Sequence, residues 1–370
     1  MMSLPNQQRM FAKGNYSFTY TDIPARNPGD EWREGMVSGN GENGYITSGS
    51  PYQDCFIFQN MWFNFPSGDP RAIPDELPGQ LAEARSNVFR MNDQWKIADA
   101  EGSTRIRTFY YSFHPGHQLR LRILKTGSVS EYERWTNHET AETGVRFTDE
   151  YGQWVRTSFT SRQDNVSITK ISQSSLGAKV NMTISIDDIP GMAKAYNGHS
   201  EVNSLQYKKI VDPNADYIAQ VVHYPSYPGS EFAYGGYAGL TQVVVVNGTK
   251  KKVLLEDTDD PINVGIERNP AIQVVDAEAV YLITQSKRAE DMGSIDAFAG
   301  LTTYPVVDDL FAQTSRAVTR YRGELDPFNY DAALAPHTLM HSAEFNAVCL
   351  ALHGDERDKS KDNRSLVQLQ

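Results

Sequence analysis

The feature that most constrains the fold is a long succession of short strand patterns between residues 14 and 300. Several alternate apolar and polar side chains, as in residues 180–186, which is typical of antiparallel strands with one buried face. Ten or more such segments in one stretch predict a large β-sandwich rather than a small barrel. The predicted strands are 105–111, 118–125, 144–147, 154–160, 166–172, 180–187, 217–223, 241–246, 252–256 and 279–284.

Turn residues separate these segments and predict where neighbouring strands reverse. Residues 146–159 form a predicted hairpin around Asp149 to Gly152. A second hairpin is expected at Asn247–Gly248, with Lys250, Lys251 and Lys252 on its exposed side.

The periodicity changes after residue 305. Apolar residues at 307, 310, 311, 317, 318 and 321 fall on one face of a predicted helix over 307–322. Asp308 near its start and Arg320 near its end suit the helix dipole. A second helix is predicted at 337–345, followed by a short strand at 348–352.

Charge and hydropathy exclude several partners. A net charge of −11 and a pI near 5.3 oppose a nucleic-acid partner, which would require a basic surface. No apolar stretch reaches the length of a membrane span, so no membrane association is expected. The start of the chain has no signal-peptide core, and a cytoplasmic location is therefore expected. A neutral ligand fits this charge best.

No metal or cofactor is expected. His114 and His117 have no third ligand at a matching spacing, and 257–260 lacks the glycine of a calcium loop. Cys55 and Cys349 are far apart, in no metal or redox spacing, and are expected to be buried thiols.

The candidate binding residues lie in the segment 31–68. Its glycines at 39, 41 and 44 permit a tight turn, and Asn40 and Asn43 can bond either their own backbone or a ligand hydroxyl. A strand follows and ends in an aromatic cluster at Trp62, Phe63 and Phe65. An aromatic ring can stack on the C–H face of a sugar.

This segment resembles the N-terminal domain of glycoside hydrolase family 95, the α-L-fucosidases and α-L-galactosidases. The resemblance rests on a Trp, a Gly-Asn-Gly turn with a further Gly, a polar pair and a second Trp, at Trp32, 39–44, Gln59–Asn60 and Trp62. In that family the corresponding motif reads Leu-Asn-Glu-x-x-Trp. Residues 58–62 stand in its place here, with one residue fewer and no acidic residue. Further similar segments are 81–85, 132–141, 157–166 and 341–352.

The resemblance implies a mainly β fold: a large antiparallel super-β-sandwich over 14–304, followed by a short helical linker over 305–370. In that family the linker leads to an (α/α)6 barrel that holds the catalytic groups, and this sequence is expected to end at Gln370 before such a barrel. No catalytic residue is therefore assigned. The candidate substrate-binding residues are Asn40, Asn43, Asn60 and Trp62.

The expected function is that of a non-catalytic N-terminal domain in a hydrolase that cleaves terminal α-L-fucosides or α-L-galactosides with inversion. Its expected partners are an oligosaccharide or glycoside substrate and its own C-terminal barrel. One alternative is a stand-alone carbohydrate-binding sandwich. Another is a mutarotase-like enzyme built around His114, His117, His223 and Tyr224. A fourth interpretation is a purely structural domain, which is the expected role of this chain within such a hydrolase. Apolar surface at the linker predicts self-association of the isolated chain.

Overall fold

The computed structural model describes residues 17–20, 35–64, 85–86, 114–174, 179–187, 206–224, 234–255, 269–324 and 326–347. These residues form two antiparallel sheets and three helices. The fold class predicted from the sequence, mainly β with a sandwich followed by helices, is confirmed.

The larger sheet has nine strands in the order β1-β6-β7-β8-β9-β16-β13-β12-β11. Their bounds are β1 Ser17–Tyr20, β6 Ser130–Asn137, β7 Glu142–Asp149, β8 Gly152–Thr160, β9 Ser167–Gln173, β11 Gln206–Val211, β12 Tyr217–His223, β13 Gly236–Val246 and β16 Ala279–Ala289.

The smaller sheet has seven strands in the order β14-β15-β10-β5-β4-β3-β2. Their bounds are β2 Met36–Gly39, β3 Asn43–Thr47, β4 Gln53–Asn60, β5 Gln118–Ile123, β10 Val180–Ile186, β14 Thr249–Leu254 and β15 Pro270–Ala277.

The main core lies between the two sheets. Strand β10 contributes every second side chain to it, so that Val180, Met182 and Ile184 are fully buried. From the larger sheet, Val280 and Leu282 of β16 face the same core. The alternation that predicted these strands is therefore the alternation between the core and the other face.

The middle strands of the larger sheet are buried on both faces. Tyr281 and Ile283 of β16 point away from the inter-sheet core and pack beneath the C-terminal helices. This second layer explains why the first eight residues of β16 are all buried. The helices are α1 Ile295–Gly300, α2 Pro305–Arg320 and α3 Tyr330–Phe345.

Most of the predicted strands are present within five residues of their expected bounds, and the 146–159 hairpin is confirmed, with Asp149 paired to Gly152. The strand predicted at 105–111 lies outside the described residues, as does the one at 348–352. Strands β11 and β15 and the short helix α1 were not predicted.

The hairpin expected at Asn247–Gly248 is wrong. Strand β13 pairs with β12 and β16, so both of its edges are occupied, and β14 pairs with β15 in the other sheet. The turn therefore carries the chain from one sheet to the other. The basic residues 250–252 follow it on β14, which is the edge strand of the smaller sheet.

The helix predicted over 307–322 is confirmed as α2, which begins at Pro305. The second predicted helix is confirmed but begins earlier than expected. Asn329 caps α3 by accepting a hydrogen bond from the Ala332 amide, and the helix continues through Pro336. Because proline is disfavoured inside a helix, Pro336 led to a predicted start at residue 337, about two turns too late.

Candidate carbohydrate-binding site

The turn between β2 and β3 is held by one asparagine. The Asn40 side-chain oxygen accepts hydrogen bonds from the backbone amides of Glu42 and Asn43, at 3.0 and 2.8 Å. Gly41 has φ +99°, a conformation that favours glycine. A Cβ on Gly44 would lie 2.9 Å from the Ser38 carbonyl oxygen, so this position also requires glycine. The glycine spacing thus builds the tight turn that the sequence predicted.

The asparagine amides of this turn bond to protein atoms. Asn40 and Asn43 each donate from Nδ2 to Oδ1 of Asn165, at 2.8 and 2.9 Å. Asn40 also donates to the Ser161 carbonyl at 2.9 Å. Asn165 lies in the turn between β8 and β9, in the opposite sheet, and in turn donates to Glu42. These two amides therefore join the sheets.

Asn60 makes a second link between the sheets. Its Nδ2 donates to the Asn43 side-chain oxygen at 3.0 Å and to the Ser286 carbonyl of β16 at 3.1 Å. Its Oδ1 accepts from the Trp62 amide at 2.9 Å. Asn40, Asn43 and Asn60 thus form one network, and it fixes the backbone that carries Trp62.

Trp62 is the exposed member of the predicted site. It lies in a turn after β4 with 55% of its surface exposed, beside Met61 at 51%. The turn is rigidly held, because the Met61 amide donates to the Glu42 carbonyl and the Phe63 amide donates to the Asn60 carbonyl. Phe63 is buried and stacks on His114 at 5.4 Å. A firmly held, exposed indole is suited to stacking on a sugar ring.

A cationic side chain borders the Trp62 turn. Arg288, at the end of β16, donates to the Asn64 side-chain oxygen at 2.8 Å. Its guanidinium lies 5.8 Å from the centre of the buried Tyr224 ring. Arginine presents hydrogen-bond donors in a fixed plane, which suits recognition of hydroxyl or carboxylate oxygens next to an aromatic ring.

The turn between β8 and β9 joins the asparagine network to the helices. Asp164, buried in this turn, accepts hydrogen bonds from Arg320 and from the Tyr321 hydroxyl at the end of α2. The Arg162 guanidinium donates to Glu344 of α3 at 2.7 Å. The same five-residue turn, 161–165, therefore contacts the β2–β3 turn on one side and both helices on the other.

The described carboxylates near the site have structural partners. Asp54 is fully buried and paired with Arg156 at 2.5 Å, and it also accepts from Thr47 and Ser48. Glu42 accepts from Asn165. Glu31 and Glu34, which flank the same segment, lie outside the described residues.

The side chains required by a mutarotase-like enzyme are buried. His114 bonds the Tyr224 hydroxyl at 2.8 Å, and burial lowers the pKa of His114 to about 4. His117 is stacked on Phe58, and burial lowers its pKa to about 3. His223 bonds backbone carbonyls. These groups pack the interior and do not converge on an open surface.

No group of three His, Cys, Asp or Glu side chains in the described ranges could hold a metal ion. Within those same ranges, no helix is long and apolar enough to cross a membrane. Cys55 is a buried free thiol, as expected, and burial raises its pKa well above the usual value. Cys349 and residues 257–260 lie outside the described residues.

Residues 23–255 match the family described as glycosyl hydrolase family 65, N-terminal domain. The chain belongs to this family. The glycoside hydrolase N-terminal domain expected from the sequence is thereby confirmed, while the matching family is 65 rather than 95. No curated protein matches the chain significantly.

Two of the solved structures that are similar to the chain are a phosphorylase and a mannosidase. One is a protein from the human microbiome described as a kojibiose phosphorylase, with TM-score 0.40 and 6% identity over 88% of this chain and 37% of that one. The other is an inverting mannosidase of family GH92 from Bacteroides thetaiotaomicron, with TM-score 0.32 and 11% identity over 67% of this chain. Both similarities are too weak to bear on function. The chain spans 37% and 29% of the lengths of these two proteins.

Two groups at the site were not predicted from the sequence. Asn165 stands 122 residues from Asn43 in the chain, and its φ of +57° marks it as a turn residue only once the structure is known. Arg288 lies at the end of a strand whose sequence resembles any exposed strand end. Their roles arise from contacts between distant segments.

Proposed function

We propose that this chain serves as the non-catalytic N-terminal domain of a glycoside hydrolase that cleaves terminal α-L-fucosides or α-L-galactosides with inversion. The catalytic groups would come from a helical barrel beyond this domain, and the domain would lend a sugar contact to the edge of the active site. The family match over 23–255 supports the domain type. The sugar specificity rests on the resemblance of residues 31–68 to family 95.

The observation that carries a direct role in sugar recognition is the exposure of Trp62. An indole with 55% of its surface exposed gains little from folding, yet its turn is fixed by two hydrogen bonds, which the Trp62 amide donates to the Asn60 side chain and the Met61 amide donates to the Glu42 carbonyl. Binding loops held on a rigid scaffold have this construction. Trp62 would stack on the sugar, and Arg288 would bond its hydroxyl groups.

Asn40, Asn43 and Asn60 would act through this turn. Their side-chain amides already bond Asn165, Ser161 and Ser286. A ligand hydroxyl that displaced one of these bonds would leave a buried partner unsatisfied, at a cost of about 1–3 kcal/mol. We therefore propose Trp62 as the sugar contact and the three asparagines as the groups that position it.

The outer face of α3 is the surface through which the domain would contact the barrel. Its exposed apolar residues form the α3 outer stripe, which consists of Ala332, Ala335, Leu339, Met340 and Ala343, while the acidic Asp331 and Glu344 are exposed near the two ends of the helix. Helix α3 carries no Lys or Arg. A helix that is apolar on opposite faces is usually covered on both. The barrel of the same enzyme would provide the second cover.

Stand-alone carbohydrate binding is the second candidate function, and Trp62 supports it equally. The two candidates differ in what the outer stripe does. A binding module would require only Trp62 and Arg288, whereas an accessory domain also requires the α3 outer stripe to be covered.

The test is glycan binding by the full chain, measured by calorimetry and ligand-observed NMR with methyl α-L-fucoside and methyl α-L-galactoside. We expect weak binding that Trp62→Ala removes and Met61→Ala retains. Met61 is the matched control, because it is adjacent and similarly exposed. Activity is assayed in parallel with nitrophenyl α-L-fucoside, and no turnover by this chain is expected.

Three results would count against the proposal. Turnover by the chain itself would contradict a non-catalytic role. Equal loss of binding in both variants would remove Trp62 as the contact. Binding of α-glucosides or α-mannosides in preference to L-sugars would overturn the fucoside specificity while leaving the domain assignment intact.

A further inference from the structure

We propose that the docking of helix α3 onto the sandwich is acid-labile, because His337 must be uncharged to make the contacts that hold the helix. This inference concerns the attachment of α3 to the larger sheet and is independent of the proposed sugar specificity.

Both ring nitrogens of His337 bond the backbone of the sandwich. Nδ1 lies 3.2 Å from the Arg162 amide nitrogen, and Nε2 lies 3.0 Å from the Thr140 carbonyl oxygen. A backbone amide can only donate and a carbonyl can only accept. His337 must therefore be neutral, with its proton on Nε2 and a free lone pair on Nδ1.

The ring has no access to solvent that could relieve a charge. His337 is fully buried, 5.0 Å from the Phe159 ring and 5.8 Å from the His341 ring, measured between centroids. A proton on Nδ1 would face the N–H of Arg162, so one hydrogen bond would become a repulsion. The helix can relieve this repulsion by moving away from the two turns, which exposes the charged ring to water.

A second histidine of α3 lies beside His337. His341 donates from Nε2 to the His138 carbonyl at 2.7 Å, so a second α3 histidine makes a similar contact. The titratable and charged groups on the elements packed around the ring are His138 and Glu139 of the β6–β7 turn, Glu142 of β7, Arg162 and Asp164 of the β8–β9 turn, and His341 and Glu344 of α3 itself.

Three of the four carboxylates in this set bond groups other than His337. Glu344 pairs with Arg162, Asp164 pairs with Arg320, and Glu142 accepts a hydrogen bond from the Tyr330 hydroxyl. Arg162 is a permanent cation. Acidification therefore adds charge of the same sign to a region whose negative groups are engaged.

The direction of the pKa of His337 agrees with this geometry. Burial, with smaller contributions from His341 and Arg162, lowers it to about 4. Burial and His341 also lower the pKa of His138. In an undocked helix His337 would titrate near its ordinary pKa of about 6.5.

The undocked state therefore binds the extra proton, and docking weakens as the pH falls from about 6.5 toward 4. At pH 5 the docking constant should be about 10- to 30-fold lower than at pH 7.5.

The experiment is hydrogen exchange of the full chain at pH 7.5, 6 and 5, with rates corrected for intrinsic pH dependence. We expect amides of α3 to lose about 10- to 30-fold of their protection by pH 5. Amides of α2 are the internal control, because α2 contains no histidine. In His337→Gln, which keeps a donor for Thr140 but cannot titrate, the pH dependence of α3 should disappear.

Unchanged protection of α3 in the native chain would overturn the proposal, as would equal loss in α2 and α3. An undiminished pH dependence in His337→Gln would also overturn it. If this variant folds poorly, nitrogen NMR of the native chain decides the point. A neutral Nε2-protonated ring down to pH 5 is expected, and a ring that titrates above pH 6 would contradict the inference.

Discussion

Helices α2 and α3 both pack on the outer face of the larger sheet, but they differ in what they present to solvent. Helix α2 buries Val307, Leu310 and Ala317 and exposes Asp308 and Arg316 on the opposite side. Such an amphipathic helix completes a surface. Helix α3 buries Tyr330, Ala333, Leu334 and His337 and exposes the apolar α3 outer stripe.

The attachment of the two helices also differs. The contact of α2 with the sheet is mainly apolar, and Asp164 bonds Arg320 at the C-terminal end of the helix. The contact of α3 combines apolar side chains with two histidines that bond backbone atoms of the β6–β7 and β8–β9 turns. The difference indicates that α2 belongs to the permanent core of the domain, whereas α3 is an intermediate layer that is held conditionally on one side and remains open on the other.

The largest change in the free energy of unfolding is expected when a leucine of α2 is replaced, and a leucine of α3 provides the comparison. Leu310 of α2 is fully buried, so Leu310→Ala should destabilise the domain by about 3–5 kcal/mol through lost burial and a cavity. Leu339 of α3 is 73% exposed, and Leu339→Ala should change stability by less than about 0.5 kcal/mol. Urea unfolding measures both. Equal effects would mean that the α3 outer stripe is already covered in this chain.

The presence of α2 could be predicted because its apolar residues recur at helical spacing along one face. Helix α3 is apolar on two faces, so its sequence does not show a single apolar face at helical spacing. For that reason, and because of Pro336, the sequence did not predict that the helix begins at Tyr330. Amphipathicity is readable in a sequence only when one face is polar.

The candidate site shows the same limit. The tight turn at 39–44 follows from its glycines, and the sequence also allowed for Asn40 and Asn43 to bond backbone. Their main partner, Asn165, lies in the other sheet, and a single sequence does not reveal such a long-range contact. The exposure of Trp62 was equally open, because an aromatic at a strand end can face either core or solvent.

A second prediction separates global from local loss of stability in acid. His114 and His117 lie in the sandwich interior with pKa values lowered by burial to about 4 and about 3. In the unfolded chain each would titrate near 6.5, so unfolding takes up protons and stability falls as the pH drops below about 6.5. From pH 7.5 to 5 we expect a loss of about 2–4 kcal/mol in urea unfolding.

Helix α3 should open at a higher pH than the one at which the whole domain unfolds, because its docking is weaker than the fold itself. Exchange rates of α3 and of β16 amides, compared over the same pH series, test this order. If both regions lose protection in parallel at every pH, the distinction between a permanent α2 and a conditional α3 fails.

A third prediction concerns the link at the end of α2. Asp164→Ala removes the acceptor of the Tyr321 hydroxyl and the partner of Arg320, and should destabilise the domain by about 1–3 kcal/mol. Asp309→Ala is the control, since the Asp309–Lys287 pair is exposed and should contribute less than about 1 kcal/mol. Similar values for the two variants would show that the β8–β9 turn has no special role in holding α2.

The substitution expected to change stability least, Leu339→Lys, should change self-association most. Leu339→Lys places a charge in the middle of the α3 outer stripe and should change the free energy of unfolding by less than about 0.5 kcal/mol. Ala312→Lys makes the same kind of change on the exposed face of α2. Sedimentation velocity at high concentration should show self-association of the native chain that Leu339→Lys reduces and Ala312→Lys leaves unchanged, because the stripe is the uncovered apolar face of α3 and the exposed face of α2 is polar. A native chain that remains monomeric would remove the reason to assign a partner to α3. If both lysine substitutions reduce association equally, the added charge itself, and not its position in the α3 outer stripe, would explain the reduction.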